Sequence, residues 1–165
     1  MKRIVLVLTI LFSAISFSQQ SEEKKINDLL NSWHKAAATT NFDAYFGYFA
    51  SGGIFIGTDA TEIWDVPAFK KFAKPFFDKG KAWSFTSLKR NVYFGKSNDI
   101  AWFDELLDTQ MKLCRGSGVL VKENGNWKLK HYVLSMTIPN PNVDAVVAIK
   151  ASLEDDLSKE LSTKK

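Results

Sequence analysis

Residues 111–138 read MKLCRGSGVLVKENGNWKLKHYVLSMTI, and their alternation of apolar and polar positions on either side of Asn124-Gly125 predicts two antiparallel strands joined by a tight turn. Asn and Gly accept the positive φ that such a reversal needs, so Glu123-Asn124-Gly125-Asn126 marks the hairpin, with strands over Met111–Val121 and Trp127–Ile138. Working outward, Trp83–Phe94 and Ile100–Leu107 carry the same β-branched and aromatic content and read as two further strands. Upstream the period changes. Ile26, Leu29, Leu30, Trp33 and Ala37 fall three and four apart, which predicts an amphipathic helix from Ser21 to about Thr39. Asn41 is placed to cap a second helix carrying Phe42, Tyr45, Phe46 and Phe49, ended by Gly52-Gly53, and Ile54-Phe55-Ile56 reads as a short strand. Asp65 and Pro67 start a third helix in which Phe69, Phe72 and Phe76 line one side, Pro75 should kink or shorten the last turn, and Gly80 closes it.

Helices first and an antiparallel sheet after them is the α+β layer pattern, in which the helices cover one face of the sheet. The sheet must then curve around three aromatic-rich helices, and the enclosed space is a natural small-molecule pocket. Beyond the sheet, Val146, Ile149, Leu153, Leu157 and Leu161 form one stripe, so residues 141–165 read as a C-terminal helical extension.

The chain has 165 residues, 45% of them hydrophobic, and a formal charge of +4, which fits one globular domain and excludes a disordered chain. A single Cys114 forms no intrachain disulfide, and with only two His there is no zinc-type ligand set, so no metal site is expected. In an oxidising compartment Cys114 must be buried, free or paired with another chain, burial being the plainest case. The first residues, MKRIVLVLTILFSAISFSQQ, carry Lys2 and Arg3, a short apolar run and small residues at Ser16 and Ser18. This is the pattern of a secretory signal peptide over 1–18, cut before Gln19. The apolar run falls short of the roughly 20 residues a membrane span needs, so no stable span is expected after cleavage, and the protein is placed in the periplasm or outside the cell. Losing Lys2 and Arg3 with no acid removed brings the mature chain close to neutrality, which argues against nucleic-acid binding.

The strings FDAYFGYFASGGIFIGTDATEIW (42–64), AWFDELLD (101–108), CRGSGVL (114–120) and NGNWKLKHYVLSMTIPN (124–140) together resemble the SnoaL-like branch of the nuclear transport factor 2-like superfamily. The resemblance covers roughly residues 26–140, within a domain set at 19–140. It implies a cone-shaped, cystatin-like α+β fold with three helices packed in a strongly bent sheet, often dimerised through that sheet. The superfamily includes ketosteroid isomerase, cyclases and dehydratases, so fold alone does not choose a reaction. In the related kinase association domains the last strand often reads His-x-His-x-Ser; here His131-Tyr132-Val133-Leu134-Ser135 has Val133 at the second His. The isomerase's full set of general-base Asp, Tyr and acid donor has no match.

Several polar residues are candidates for chemistry. Asp59, after Gly57-Thr58, either faces the cone mouth as a base or caps a turn through its own backbone. Asp104 and Glu105 are adjacent in a strand, so only one of them faces inward. Asp104, with Trp102 and Leu106 on its side, is favoured, although Phe103, Glu105 and Leu107 form an equally apolar stripe. An inward carboxylate would have its pKa raised by burial, as a proton shuttle requires. Arg115, between Cys114 and Gly116-Ser117-Gly118, either pairs an inward carboxylate or anionic ligand or is solvated. His131 is a candidate base or a core residue, and His34 is expected on the solvent side of the first helix. Tyr45, Phe49, Trp64 and Trp83 either supply ligand-stacking surface or pack the core.

These residues support two functional readings, beside a third as an assembly module dimerised through the sheet with the C-terminal helix as an added contact. In one, an exported, noncatalytic domain binds a small apolar or amphipathic molecule. In the other, a cofactor-independent acid/base enzyme of the isomerase, cyclase or dehydratase type uses Asp59 or Asp104 as shuttle, with Tyr45, Arg115 or His131 stabilising negative charge. A homodimer is compatible with both.

Overall fold

The computed structural model describes the backbone of residues 2–164 and the side chains of residues 20–164. The expected leader, 1–18, thus lies outside the residues whose side chains are described. The elements in chain order are α1 (Lys2–Ala38), α2 (Phe42–Gly47), β1 (Phe49–Ile56), β2 (Ile63–Asp65), α3 (Val66–Asp78), β3 (Phe85–Phe94), β4 (Ile100–Thr109), β5 (Lys112–Glu123), β6 (Asn126–Met136) and, after a 3₁₀ turn at Asn140–Asn142, α4 (Val143–Thr163). This is the expected α+β fold. One six-stranded sheet, ordered β2-β1-β6-β5-β4-β3, curves around α1–α3, which fill its concave face.

The β5–β6 hairpin turns where its residues dictate: Asn124 and Gly125 adopt φ of 51° and 79°. Elsewhere the sheet departs from expectation. β1 begins at Phe49 and pairs with β6 in parallel, so the sheet is not wholly antiparallel. Gly52 and Gly53 do not end a helix; they form an irregularity inside β1, where Gly52 takes φ 60° and the β1–β6 register shifts between Phe49 and Ile54.

The caps follow the sequence. Asn41 Oδ1 accepts the Ala44 N–H at 3.1 Å, and Asp65 Oδ1 accepts that of Ala68 at 2.8 Å. α3 runs through Pro75 to Asp78, since the ring and the Lys71 carbonyl that loses its donor both lie on the exposed side of the helix. Its buried face is Phe69, Ala73 and Phe77, not Phe69, Phe72 and Phe76; Phe72 and Phe76 are turned to the open end of the cone.

The core joins one face of α1 (Ile26, Leu30, Trp33, Ala37) to the concave side of the sheet (Phe55, Phe103, Leu107, Leu120, Leu129, Tyr132). Each buried Ile, Leu or Phe side chain among them contributes roughly 1.5–3 kcal/mol. Cys114 is fully buried and free. Among the described residues no helix is long and apolar enough to cross a membrane.

Candidate functional site: an aromatic mouth beside a sealed ionic knot

At the open end of the cone lies a cavity of about 200 Å³. α3 and its leading strand bring Phe69, Phe72 and Trp64 to one wall, while β1, β3 and the segment before β3 bring Phe55, Phe85 and Trp83; Met111 and Leu134 complete the apolar lining. The rings support one another. Phe69 stacks on Phe55 at 4.1 Å between centroids, on Trp64 at 5.5 Å and on Trp83 at 5.7 Å, and Trp64 stacks on Phe72 at 4.5 Å. Thr58, Glu62 and Gln110 supply the polar part of the lining. A wider groove of about 620 Å³ adjoins it, sharing Phe72, Trp83 and Gln110 and adding Lys81 and Asp108.

Deeper in the cone is a second constellation, built around Glu105, which is 2% exposed. Its Oε1 accepts from His34 Nε2 at 2.9 Å and from the Tyr132 hydroxyl at 3.1 Å. Its Oε2 accepts from Arg90 Nε at 2.9 Å and from a second guanidinium nitrogen at 2.8 Å. Arg90 in turn donates to Asn27 Oδ1 and Asn31 Oδ1 on α1, so β3, β4, β6 and α1 meet at one carboxylate. The glycines of β5 make the room. A Cβ on Gly116 would lie 2.2 Å from the Tyr132 hydroxyl oxygen, and one on Gly118 would lie 2.8 Å from the Phe103 ring. Burial pushes the Glu105 carboxyl up, but the His34 hydrogen bond and charge and then the Arg90 guanidinium outweigh it, holding the group below its ordinary 4.5. Burial and the Glu105 charge together raise the Tyr132 phenol well above its ordinary value. Glu105 is therefore a fixed anion with both oxygens occupied, poorly suited to accept a substrate proton.

The sequence-predicted residues fall into three groups. Trp64 and Trp83 line the cavity. Tyr45 and Phe49 pack behind it: Tyr45 is fully buried against Trp83 at 5.5 Å and Phe69 at 6.1 Å, and Phe49 lies 6.1 Å from Phe69. The Tyr45 hydroxyl and Trp33 Nε1 have no hydrogen-bond partner among the described residues. Burial raises the Tyr45 phenol well above 10.0, a rise the neighbouring Trp83 indole opposes. The remaining candidates lie away from the cavity. Asp104 points to the convex side of the sheet, where both its oxygens accept from Asn91 Nδ2 at 3.0 and 2.9 Å, correcting the expectation that it faces inward. The stripe of Phe103, Glu105 and Leu107 is the inner one, because only it meets α1 and Tyr132. Asp59 is exposed and closes a turn, accepting the Thr61 N–H at 2.8 Å and hydroxyl at 2.6 Å, bonds that lower its pKa. Arg115 is exposed on the convex side, and His131, adjacent to inward Tyr132, points the same way.

His34 is buried rather than solvent-facing. It stands four residues after Leu30, so the helical period that marked Leu30 as inward also marks His34. Sequence reasoning missed Arg90, Tyr132 and Glu62 altogether, because the partners that give them meaning come from distant strands and turns.

A family model for the SnoaL-like domain matches residues 26–139. No curated protein matches the chain significantly. Solved structures share the fold at low identity. An NTF2-like protein of unknown function from Pseudomonas putida is 14% identical, with 73% of this chain and 90% of that one covered and a TM-score of 0.62. A proposed scytalone dehydratase from Novosphingobium aromaticivorans is 13% identical over 74% and 89% of the two chains, with a TM-score of 0.64. The association domain of C. elegans CaMKII is 19% identical over 72% and 98%, with a TM-score of 0.60. Matched over most of its length, and with its helices seated in a bent sheet, the chain belongs to the SnoaL-like domain family.

Proposed function

We propose that the protein is an exported small-molecule-binding domain whose ligand seats in the aromatic cavity at the mouth of the cone. The observation that carries this reading is the cavity itself, about 200 Å³ of space left open among six aromatic side chains at the mouth of the cone. Drug-sized ligands occupy roughly 300–1,000 Å³, so the fit is to a smaller molecule, or to one that extends into the adjoining groove. The acid/base alternative rested on Asp59 or Asp104. Neither of those carboxylates lines the cavity and Glu105 offers no free oxygen; Glu62 is the carboxylate that does line it, and its setting among six aromatic rings makes binding the better-supported reading. Residues 1–18 direct export, and the convex face of the sheet, with Tyr93, Trp102 and Leu113 exposed, pairs two copies.

Native mass spectrometry of the protein purified from its exported fraction tests the proposal in one measurement. The expected species is a dimer of chains beginning at Gln19 that releases a defined small molecule on denaturation. A chain retaining Met1 overturns export, and a monomer overturns pairing. A preparation without ligand, whose tryptophan fluorescence is also unchanged by titration with 2-naphthol, overturns binding at the mouth.

A further inference from the structure

The lining of the mouth cavity is electrically one-sided. Phe55, Trp64, Phe69, Phe72, Trp83 and Phe85 make its walls, and among the described residues Glu62 is the single charged one in the lining, with no Lys, Arg or His. The carboxylate is seated by the backbone: a Cβ on Gly57 would lie 2.2 Å from Glu62 Oε2, so the absence of a side chain at Gly57 is what lets the acid fold back over the turn. There Oε2 accepts only the Asp59 N–H, at 3.3 Å, and among the described residues no Lys or Arg pairs with Glu62. The adjoining groove does not offset this charge, since its Lys81 is matched by Asp108.

An anion in this cavity would lose its hydration to aromatic walls and meet a carboxylate. A cation would lose hydration too, but gains from both the carboxylate and the ring quadrupoles, and does so most readily when its charge is spread over methyl groups. We infer that the ligand is a small organic cation of the methylated-ammonium class, held between the aromatic walls and Glu62. This rests on the reading of the mouth as a binding site and adds its charge selectivity.

The test compares choline with 3,3-dimethylbutan-1-ol, in which carbon replaces the ammonium nitrogen at unchanged shape, by calorimetric titration of the mature chain; 2-naphthol serves as a neutral aromatic ligand. Choline is expected to bind at least about tenfold more tightly than the alcohol, a difference near 1.4 kcal/mol. In Glu62→Gln, with its fold checked by near-ultraviolet circular dichroism, the ratio should fall toward one. Equal affinities in the wild-type chain, or a ratio unchanged in Glu62→Gln, overturn the cation assignment and leave the binding site standing. Binding of 2-naphthol without choline does the same. If none of the three binds, the site reading falls together with the inference.

Discussion

The interior of the cone holds two constellations that face each other across Phe85, which lines the mouth cavity and lies 5.9 Å from the His34 ring. One is apolar and open. The other is ionic and closed, with four donors spent on the two oxygens of Glu105. A titratable group buried in a family that includes enzymes invites a catalytic reading, yet here the buried acid is saturated by protein, whereas the cavity walled almost entirely by carbon has the room. The contrast teaches that space and unspent bonding capacity, more than burial, mark where a ligand can act.

The comparison breaks most visibly if Glu105 is removed. Glu105→Ala leaves the Arg90 and His34 side chains, each about 5% exposed, facing one another without the anion between them. Removing one partner of a buried ion pair costs about 3–5 kcal/mol, read as a drop in the midpoint of urea unfolding. A loss below about 1 kcal/mol would mean that the knot is solvated and open after all.

Acid should expose the same asymmetry less severely. Glu105 has its folded pKa below 4.5, so its contribution to stability is complete above that value and is lost as pH falls through the folded pKa. Glu22, held at about 2 by Lys122, Lys25 and Trp127 with burial opposing, behaves in the same direction between 4.5 and about 2. Urea unfolding measured from pH 5 downward is expected to give decreasing stability, with a shallower decline in Glu105→Gln. An equal slope in the variant would assign the acid sensitivity elsewhere.

The smallest effect is expected at the boundary between core and mouth. Tyr45→Phe deletes a buried hydroxyl that makes no well-formed hydrogen bond among the described residues, so stability should be unchanged or rise by up to about 1 kcal/mol in the same unfolding assay. A loss of that size would show that the hydroxyl is satisfied in solution.

How much of this could be read from the chain depends on the range of the interactions. The hairpin at Asn124-Gly125 and the caps at Asn41 and Asp65 are local chemistry, and they stand where the sequence puts them. The inward stripe of β4 is different. Trp102-Asp104-Leu106 and Phe103-Glu105-Leu107 are equivalent by alternation, and the choice between them comes from Tyr132 reaching across the bare backbone of Gly116. Nothing local to Gly116 says that the side chain crossing it is a tyrosine of the same sheet. Trp64 and Trp83 were marked as candidate stacking surface and line the cavity, whereas Glu62 carried no sequence signal because its seat is made by the turn at Gly57.

α4 follows the cone but shares little of its packing. None of its residues is buried, Ile149 and Leu153 are 79% and 77% exposed, and its main contacts are with the 3₁₀ turn that precedes it. A helix without a buried face draws its stability from its own hydrogen bonds, which in isolation is marginal. Cone and tail are consequently separate cooperative units: α4 can open and re-form many times within the lifetime of one folded cone, and the free energy of unfolding the cone is set almost entirely before residue 140.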